Sequence, residues 1–477
     1  MQPDNSYAWP LEPGLTTNDD WSAGDAADAP QKREWLPRSF AEWFALGLTF
    51  IPAILYLPGS QSYRLIARVA AYGISVAAFT LWWFDRAGRK ETRHPAERWL
   101  TFVMAWLGLM MLNPGTINSL AGIAHVTLYF SILCPLFWTP AYITRRRHLV
   151  RLLAILLFCN GLNSLIGVAQ VYDPDRWMPK ELSPLFMEEN SAMLAASTYI
   201  GPNGRAIIRP PGLFDTPGAV CNAGTIAAVL GLIFLLEPMA WPKRAASGAL
   251  AVFGMAAIYL SHVRAAFVVT LGMMVVYVIL VSMQQHGKRA VGFIALAAGI
   301  IVGAMSLATM LGGESVQERF MTLLADDPRQ TYYQARGNQV EAAFTDLAAR
   351  FPFGAGLARW GMAQYYFNSS TGGIVTDPDS VPFAEVQPNA WILDGGFPLL
   401  VLYGLALIAT VSFDLRLIRS LHDPVDKLLA AIVVATNFGT LAYVFTFVPF
   451  GTTPGMQFWF LEGALHGAMV GRPRSDS

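Results

Sequence analysis

The chain has 477 residues, 54% of them hydrophobic and only 14% charged, with 14 Trp and 29 Phe. Soluble domains carry about 25% charged residues, so the composition excludes a soluble domain on a single anchor and points to an all-α polytopic membrane protein. The formal net charge is zero, which gives no reason to expect a nucleic-acid partner.

In chain order, residues 1–38 are polar and rich in Pro, Asp and Ala. They lack the basic start and apolar core of a cleaved signal peptide. They are expected to form a disordered cytoplasmic tail, with the first apolar segment acting as an uncleaved insertion signal. A spanning helix needs about 20 mostly apolar residues. Twelve segments approach this, near 40–58, 65–84, 98–113, 119–141, 152–172, 219–240, 246–262, 265–283, 290–312, 391–413, 427–448 and 454–470. The third is short, and Glu462 and His466 interrupt the twelfth. The expectation is about 12 transmembrane helices in a single domain over 39–470, followed by a short cytoplasmic tail at 471–477.

Lys and Arg in short loops set orientation. With the N-terminus inside, 21 of the 33 basic residues fall in inner segments, and every inner loop is basic. Both termini are then cytoplasmic in a bacterial inner membrane. Two long segments, about 173–218 and 313–390, lie outside. The second carries Val340, Phe344, Leu347 and Phe351 at helical spacing, the pattern of a helix lying on a membrane surface. No internal repeat is visible, and the longest outer segment follows the ninth span rather than the sixth. Both points argue against a duplicated transporter.

Cys134, Cys159 and Cys221 lie in or beside apolar runs and read as small buried hydrophobes. No His/Cys/Asp ligand set appears, so neither metal nor cofactor is expected. Glu462 and His466, four apart, share a helix face, as a proton relay or as a structural polar pair.

Three outer stretches could carry chemistry. In "RAIIRPPGLFDTPGAV", 205–220, Pro and Gly fix a turn that holds Arg209 and Asp215 near the membrane. They form either a surface salt bridge or part of a site. In "SHVRAA", Ser261, His262 and Arg264 meet at the turn between the seventh and eighth spans. An Arg at the bilayer centre is costly; at this turn it either snorkels or serves a polar cavity. The third stretch runs from "QARGNQVEAAFTDLAARFPFGAGLARWG", 334–361, to "VQPNAWILDGGFPLLVLYG", 386–404, with Arg336 opening the amphipathic helix.

Together these resemble the bacterial O-antigen ligase and polysaccharide polymerase superfamily over roughly 150–410. The family's Arg–x–x–Gly–Leu–Phe–x–x–Pro stretch is matched by Arg209, Gly212, Leu213, Phe214 and Pro217. Its Ser–x–x–Arg junction is matched by Ser261, Arg264 and Ala265. An Arg followed by a helix and then an Asn–Pro turn leading into Gly–x–Gly are matched by Arg336 and "RFPFGAG", with Phe351 where Asn is common. The final His–Asn is matched in part, with Pro388 at the His position before Asn389. The resemblance implies a GT-C-like bundle acting on an undecaprenyl-diphosphate-linked glycan donor at the outer leaflet, among membrane lipids and other polysaccharide-secretion proteins. A diphosphate leaving group needs positive charge, for which Arg209, Arg264 and Arg336 are the candidates, with Asn389 beside them. The acceptor glycan's hydroxyl needs a base. With Pro388 in the family's His position, the candidates are His262, Asp215, Glu385 and Asp394. The missing His tilts the expectation to a polymerase. The alternatives are a ligase to a lipid or protein acceptor, and a transporter or noncatalytic secretion subunit.

Overall fold

The structure, a computed structural model, describes residues 39–56, 59, 63–85, 92–180, 182, 192–202, 204–284, 286–361 and 384–470. The expected tails at 1–38 and 471–477 lie outside the described residues, as do 183–191 and 362–383 of the two long segments. The described residues are 79% helix and 2% strand. The helices are α1 Phe40–Ala53, α2 Arg64–Asp85, α3 Glu97–Met110, α4 Ser119–Leu133, α5 Pro135–Tyr142 and α6 Arg146–Tyr172. A two-stranded antiparallel hairpin follows, β1 Thr198–Ile200 with β2 Ala206–Ile208. Then come α7 Val220–Leu235, α8 Trp241–Leu260, α9 Arg264–Met283, α10 Gly287–Gly312 and α11 Glu314–Ala325. The chain closes with α12 over 328–350, α13 Gln387–Ser420, α14 Pro424–Tyr443 and α15 Thr453–Met469.

Each of the twelve apolar segments contains a helix. Among the described residues seven helices are long and apolar enough to cross a membrane, counting α4 and α5 as the one run Ser119–Tyr142. This is the architecture of a helical membrane protein, in which apolar surroundings oblige the backbone to bond within itself. Side chains start several helices: Asn118 Oδ1 accepts from Ala121 N at 2.8 Å, and Asp423 Oδ1 from Val425 N at 2.8 Å.

Two close approaches position the rest. The first joins α7 to α8. A Cβ on Gly224 would lie 2.6 Å from the Gly254 carbonyl oxygen, and one on Gly254 would lie 2.7 Å from Ala228 N. Small residues let the two backbones touch. The contact brings the loop ahead of α7 beside the 261–263 junction.

The second lies where α13 breaks at Gly396, φ 65°. The loop 351–357 enters the break. Phe397 N donates to Pro352 O at 2.9 Å, Ala355 N to Leu393 O at 2.7 Å, and Trp106 Nε1 to Gly395 O at 2.7 Å. The 113–116 turn closes over the loop: Asn113 Nδ2 donates to Gly354 O at 3.1 Å, and Leu357 N to Thr116 Oγ1 at 3.1 Å. The glycines of "FPFGAG" are therefore contact positions as well as loop punctuation.

The expected amphipathic helix exists, with two differences. Arg336 does not open it but sits in a π turn, Tyr333–Gly337, and a second π turn spans Ala343–Leu347. Each π turn shifts the phase of the helix face. Ala343 and Ala348 thus pack on Ile392 of α13, while Phe344 is exposed.

Gly356 has φ 110°, and a Cβ there would lie 2.2 Å from the Gly115 carbonyl carbon. Gly356→Ala is expected to cost more than about 2 kcal/mol, through strain and a backbone clash. Gly303, mid-helix with open space around it, should tolerate Ala with unchanged or raised stability. Thermal unfolding of the purified protein followed by Trp fluorescence checks both.

Candidate functional site

At the hairpin end of the bundle, three guanidiniums gather without an acid. Arg209 follows β2, and its N–H donates to Ser197 O at 2.8 Å while its carbonyl accepts from Gly218 N at 3.2 Å. Arg264 is the first residue of α9, and its Nη1 donates to Thr322 Oγ1 of α11 at 2.8 Å. Arg319 lies one turn earlier on α11, and Thr322 Oγ1 also donates to its carbonyl, at 2.8 Å. All three are half-buried. Burial lowers the Arg319 pKa, and the charges of Arg264 and Arg209 lower it further. Arg209 is likewise lowered by burial. Nε of both Arg209 and Arg319 is buried without a hydrogen-bond partner. Among the described residues no Asp or Glu bonds to any of the three. Seven other arginines among the described residues do face carboxylates: Arg68, Arg146, Arg151, Arg205, Arg289, Arg336 and Arg350.

His262 stands beside this cluster in the tight turn from α8 to α9. Its φ of 56° is uncommon outside glycine. The turn is fastened by Ser261, whose Oγ donates to Ile258 O at 2.7 Å and accepts from Val263 N at 3.2 Å. The imidazole stacks on Tyr199 of β1 at 3.9 Å, with planes 23° apart. Its Nε2 is buried and unpartnered. Burial, and then the charges of Arg209 and Arg319, push its pKa down to about 4. Burial raises the pKa of Tyr199, whose hydroxyl is also buried and unpartnered. The hairpin is held against the start of α11 by Ser315 Oγ donating to Ile200 O at 2.9 Å.

The other candidates lie elsewhere. Asp215 does not pair with Arg209; Arg68 of α2 donates to it through Nε at 3.0 Å. Arg336 pairs with Glu385 and also donates to Thr446 O at 3.2 Å, while Gln339 Nε2 donates to the same Glu385 oxygen at 2.7 Å. Asn389 is buried, its Oδ1 unpartnered. Asp394 is fully buried just before the α13 break. Tyr129 Oη donates to its Oδ2 at 2.7 Å, Trp360 Nε1 to its Oδ1 at 2.9 Å, and His125 Nε2 lies 3.0 Å from Oδ1. The arginine cluster therefore joins Arg209 and Arg264 with Arg319, and no contact links Arg336 to it.

Sequence reasoning missed Arg319 and the His125–Asp394 pair. Arg319 had one signal, an Arg on the apolar-edged helix following Gly313; the pairing of His125 had none. Three facing cations around a neutral imidazole can bind a compact polyanion, whose charge would replace the missing carboxylates. Among the described residues no group of three or more His, Cys, Asp or Glu could hold a metal ion. The sequence matches no protein-family model and no curated protein.

A His pKa of about 4 in the folded state lies below the ordinary 6.5. The unfolded chain then binds the proton more readily, so this group's stabilisation is full above pH 6.5 and is lost as pH falls toward 4. Unfolding midpoints measured across this window should drop on acidification in the wild type, and drop less in His262→Gln.

Proposed function

We propose that the protein is an outer-leaflet polymerase of undecaprenyl-diphosphate-linked glycan repeats, with twelve spans and both termini cytoplasmic. One observation carries the reading: the charges of Arg209 and Arg264 both act on Arg319, and among the described residues no acid bonds to any of the three. A departing lipid diphosphate gathers negative charge as the glycosyl bond breaks, and preset cations in a half-buried site stabilise it most at that moment. The donor's lipid keeps its diphosphate near the membrane edge, where a cluster at helix ends can reach it.

His262 is the best-placed base of the four candidates. It alone adjoins the cations and has an unpartnered buried nitrogen. Asp215, Glu385 and Asp394 are each engaged by donors. Bound diphosphate would offset the arginine charges that depress the imidazole, raising its affinity for the acceptor's proton when donor is present. A ligase would use the same cations, and the acceptor separates the two readings.

The test is the length profile of cell-surface glycan in strains carrying Arg209→Lys, Arg264→Lys or Arg319→Gln, at matched membrane levels of protein. Each variant should lose long polymer, with turnover reduced about a hundredfold or more. Full-length polymer in all three would overturn the reading, and loss of glycan transfer to lipid with polymer intact would favour the ligase. Reporter fusions after Arg146, Lys288 and Arg416 should read cytoplasmic, and fusions after Lys180 and Arg350 should read outer. A single reversal breaks the twelve-span topology.

A further inference from the structure

A second set of unsatisfied polar groups lies toward the C-terminal end of α13. Asp414 follows Asp394 by twenty residues on that helix, about 30 Å along the axis. Glu462 of α15 and Asn437 of α14 meet there, with Asn437 Nδ2 donating to Glu462 Oε1 at 2.5 Å. The Asp414 and Glu462 carboxyls are in hydrogen-bond contact with each other. Relative exposure is 4% for Asp414, 0% for Glu462 and 3% for Asn437.

Three acceptor oxygens in this group lack any donor: Asp414 Oδ1, Glu462 Oε2 and Asn437 Oδ1. Two touching carboxyls shut away from water cannot both be ionised, because neither charge is solvated and the two repel. One proton held between them removes the repulsion and supplies a missing donor.

The histidines give this proton a path. His466 lies one turn beyond Glu462 on α15 and shares its face. Its ring centre is 5.5 Å from that of His94, just ahead of α3. His466 Nδ1 and His94 Nε2 are both buried and unpartnered. Phe413 packs beside both rings, at 4.6 Å from His94 and 5.6 Å from His466. His94 accepts from Ala96 N through Nδ1 at 3.2 Å, and its own N–H donates to Glu97 at 2.9 Å, which fixes the ring. The next residue toward the N-terminus, Arg93, is exposed.

The facing titratable groups can be named by element. α13 presents Asp414, α15 presents Glu462 and His466, and the segment entering α3 presents His94 with Glu97 behind it. α14 offers the Asn437 amide, and α5 the unpartnered hydroxyl of Thr139. Among the described residues no Lys or Arg bonds to Asp414, Glu462, His466 or His94.

We propose that Asp414 and Glu462 form a proton-binding site inside the bundle, loaded from its α3 end through His94 and His466. The site is independent of the glycan-transfer reading, since none of its residues touches the arginine cluster.

The experiment uses full-length protein in lipid nanodiscs and infrared difference spectroscopy. A protonated carboxyl shielded from water should give a carbonyl band at neutral pH that shifts down in D2O. The band should disappear in both Asp414→Asn and Glu462→Gln, which preserve shape. His94→Phe should retain the band but slow its hydrogen–deuterium exchange several-fold. A wild-type spectrum indistinguishable from both carboxyl variants overturns the site, and so does a band abolished by sodium ions at constant pH, which would identify a metal cation as occupant. Exchange at the wild-type rate in His94→Phe overturns the path. If the carboxyl variants do not fold, dicyclohexylcarbodiimide treatment of the wild type decides. Adducts on Asp414 or Glu462 in peptide mass spectra support the site, and their absence overturns it.

Discussion

In apolar surroundings every backbone amide and carbonyl has to find its partner within the protein, and a break inside a buried helix leaves groups that other segments must take up. α13 breaks at Gly396 inside a buried stretch. Pro352, Ala355 and Trp106 take up the freed groups, which fastens the 351–357 loop, and the 113–116 turn is fastened in turn on the loop. Asp394, two residues before the break, gathers Tyr129, Trp360 and His125. The same break thus anchors the long segment that returns from α12 and joins α3, α4 and α13 into one unit.

Charge is distributed against this scaffold unevenly, although the chain sums to zero. Several arginines are met by an acid: Arg68 by Asp215, Arg205 by Asp175, Arg350 by Asp346. Among the described residues no acid bonds to Arg209, Arg264 or Arg319, and like charges in a half-buried place repel more strongly than in water. At the far end of α13 the imbalance is reversed, with carboxyl oxygens lacking donors.

The helices were largely legible in the sequence, because an apolar run bounded by basic loops has few other solutions. Their crossing lengths were less so: α3 and α7 are helical over only Glu97–Met110 and Val220–Leu235. Arg209 and Arg264 stood out because Pro, Gly and Ser punctuate their turns. Arg319 did not, since a charge on an amphipathic helix looks like any solvated face until the partner surface is known. Glu462 and His466 showed their shared face by spacing, whereas Asp414, Asn437 and His94 come from three other segments. The apolar stripe of α12 misled for a local reason: two π turns rotate it, and backbone bulges leave no trace in periodicity.

The crossing of Gly115 and Gly356 also has a consequence in time. Thr116 and its hydrogen-bond partner Leu357 are 241 residues apart, and a ribosome making about 5–20 residues per second needs roughly 12 to 48 s to cover that interval. Throughout it the α3–α4 turn is already made while the chain that will cover it is not. Quality control acting on nascent membrane proteins therefore meets this end of the bundle open, with the Asn113 amide and the Thr116 hydroxyl that later bond Gly354 and Leu357 still facing water or lipid.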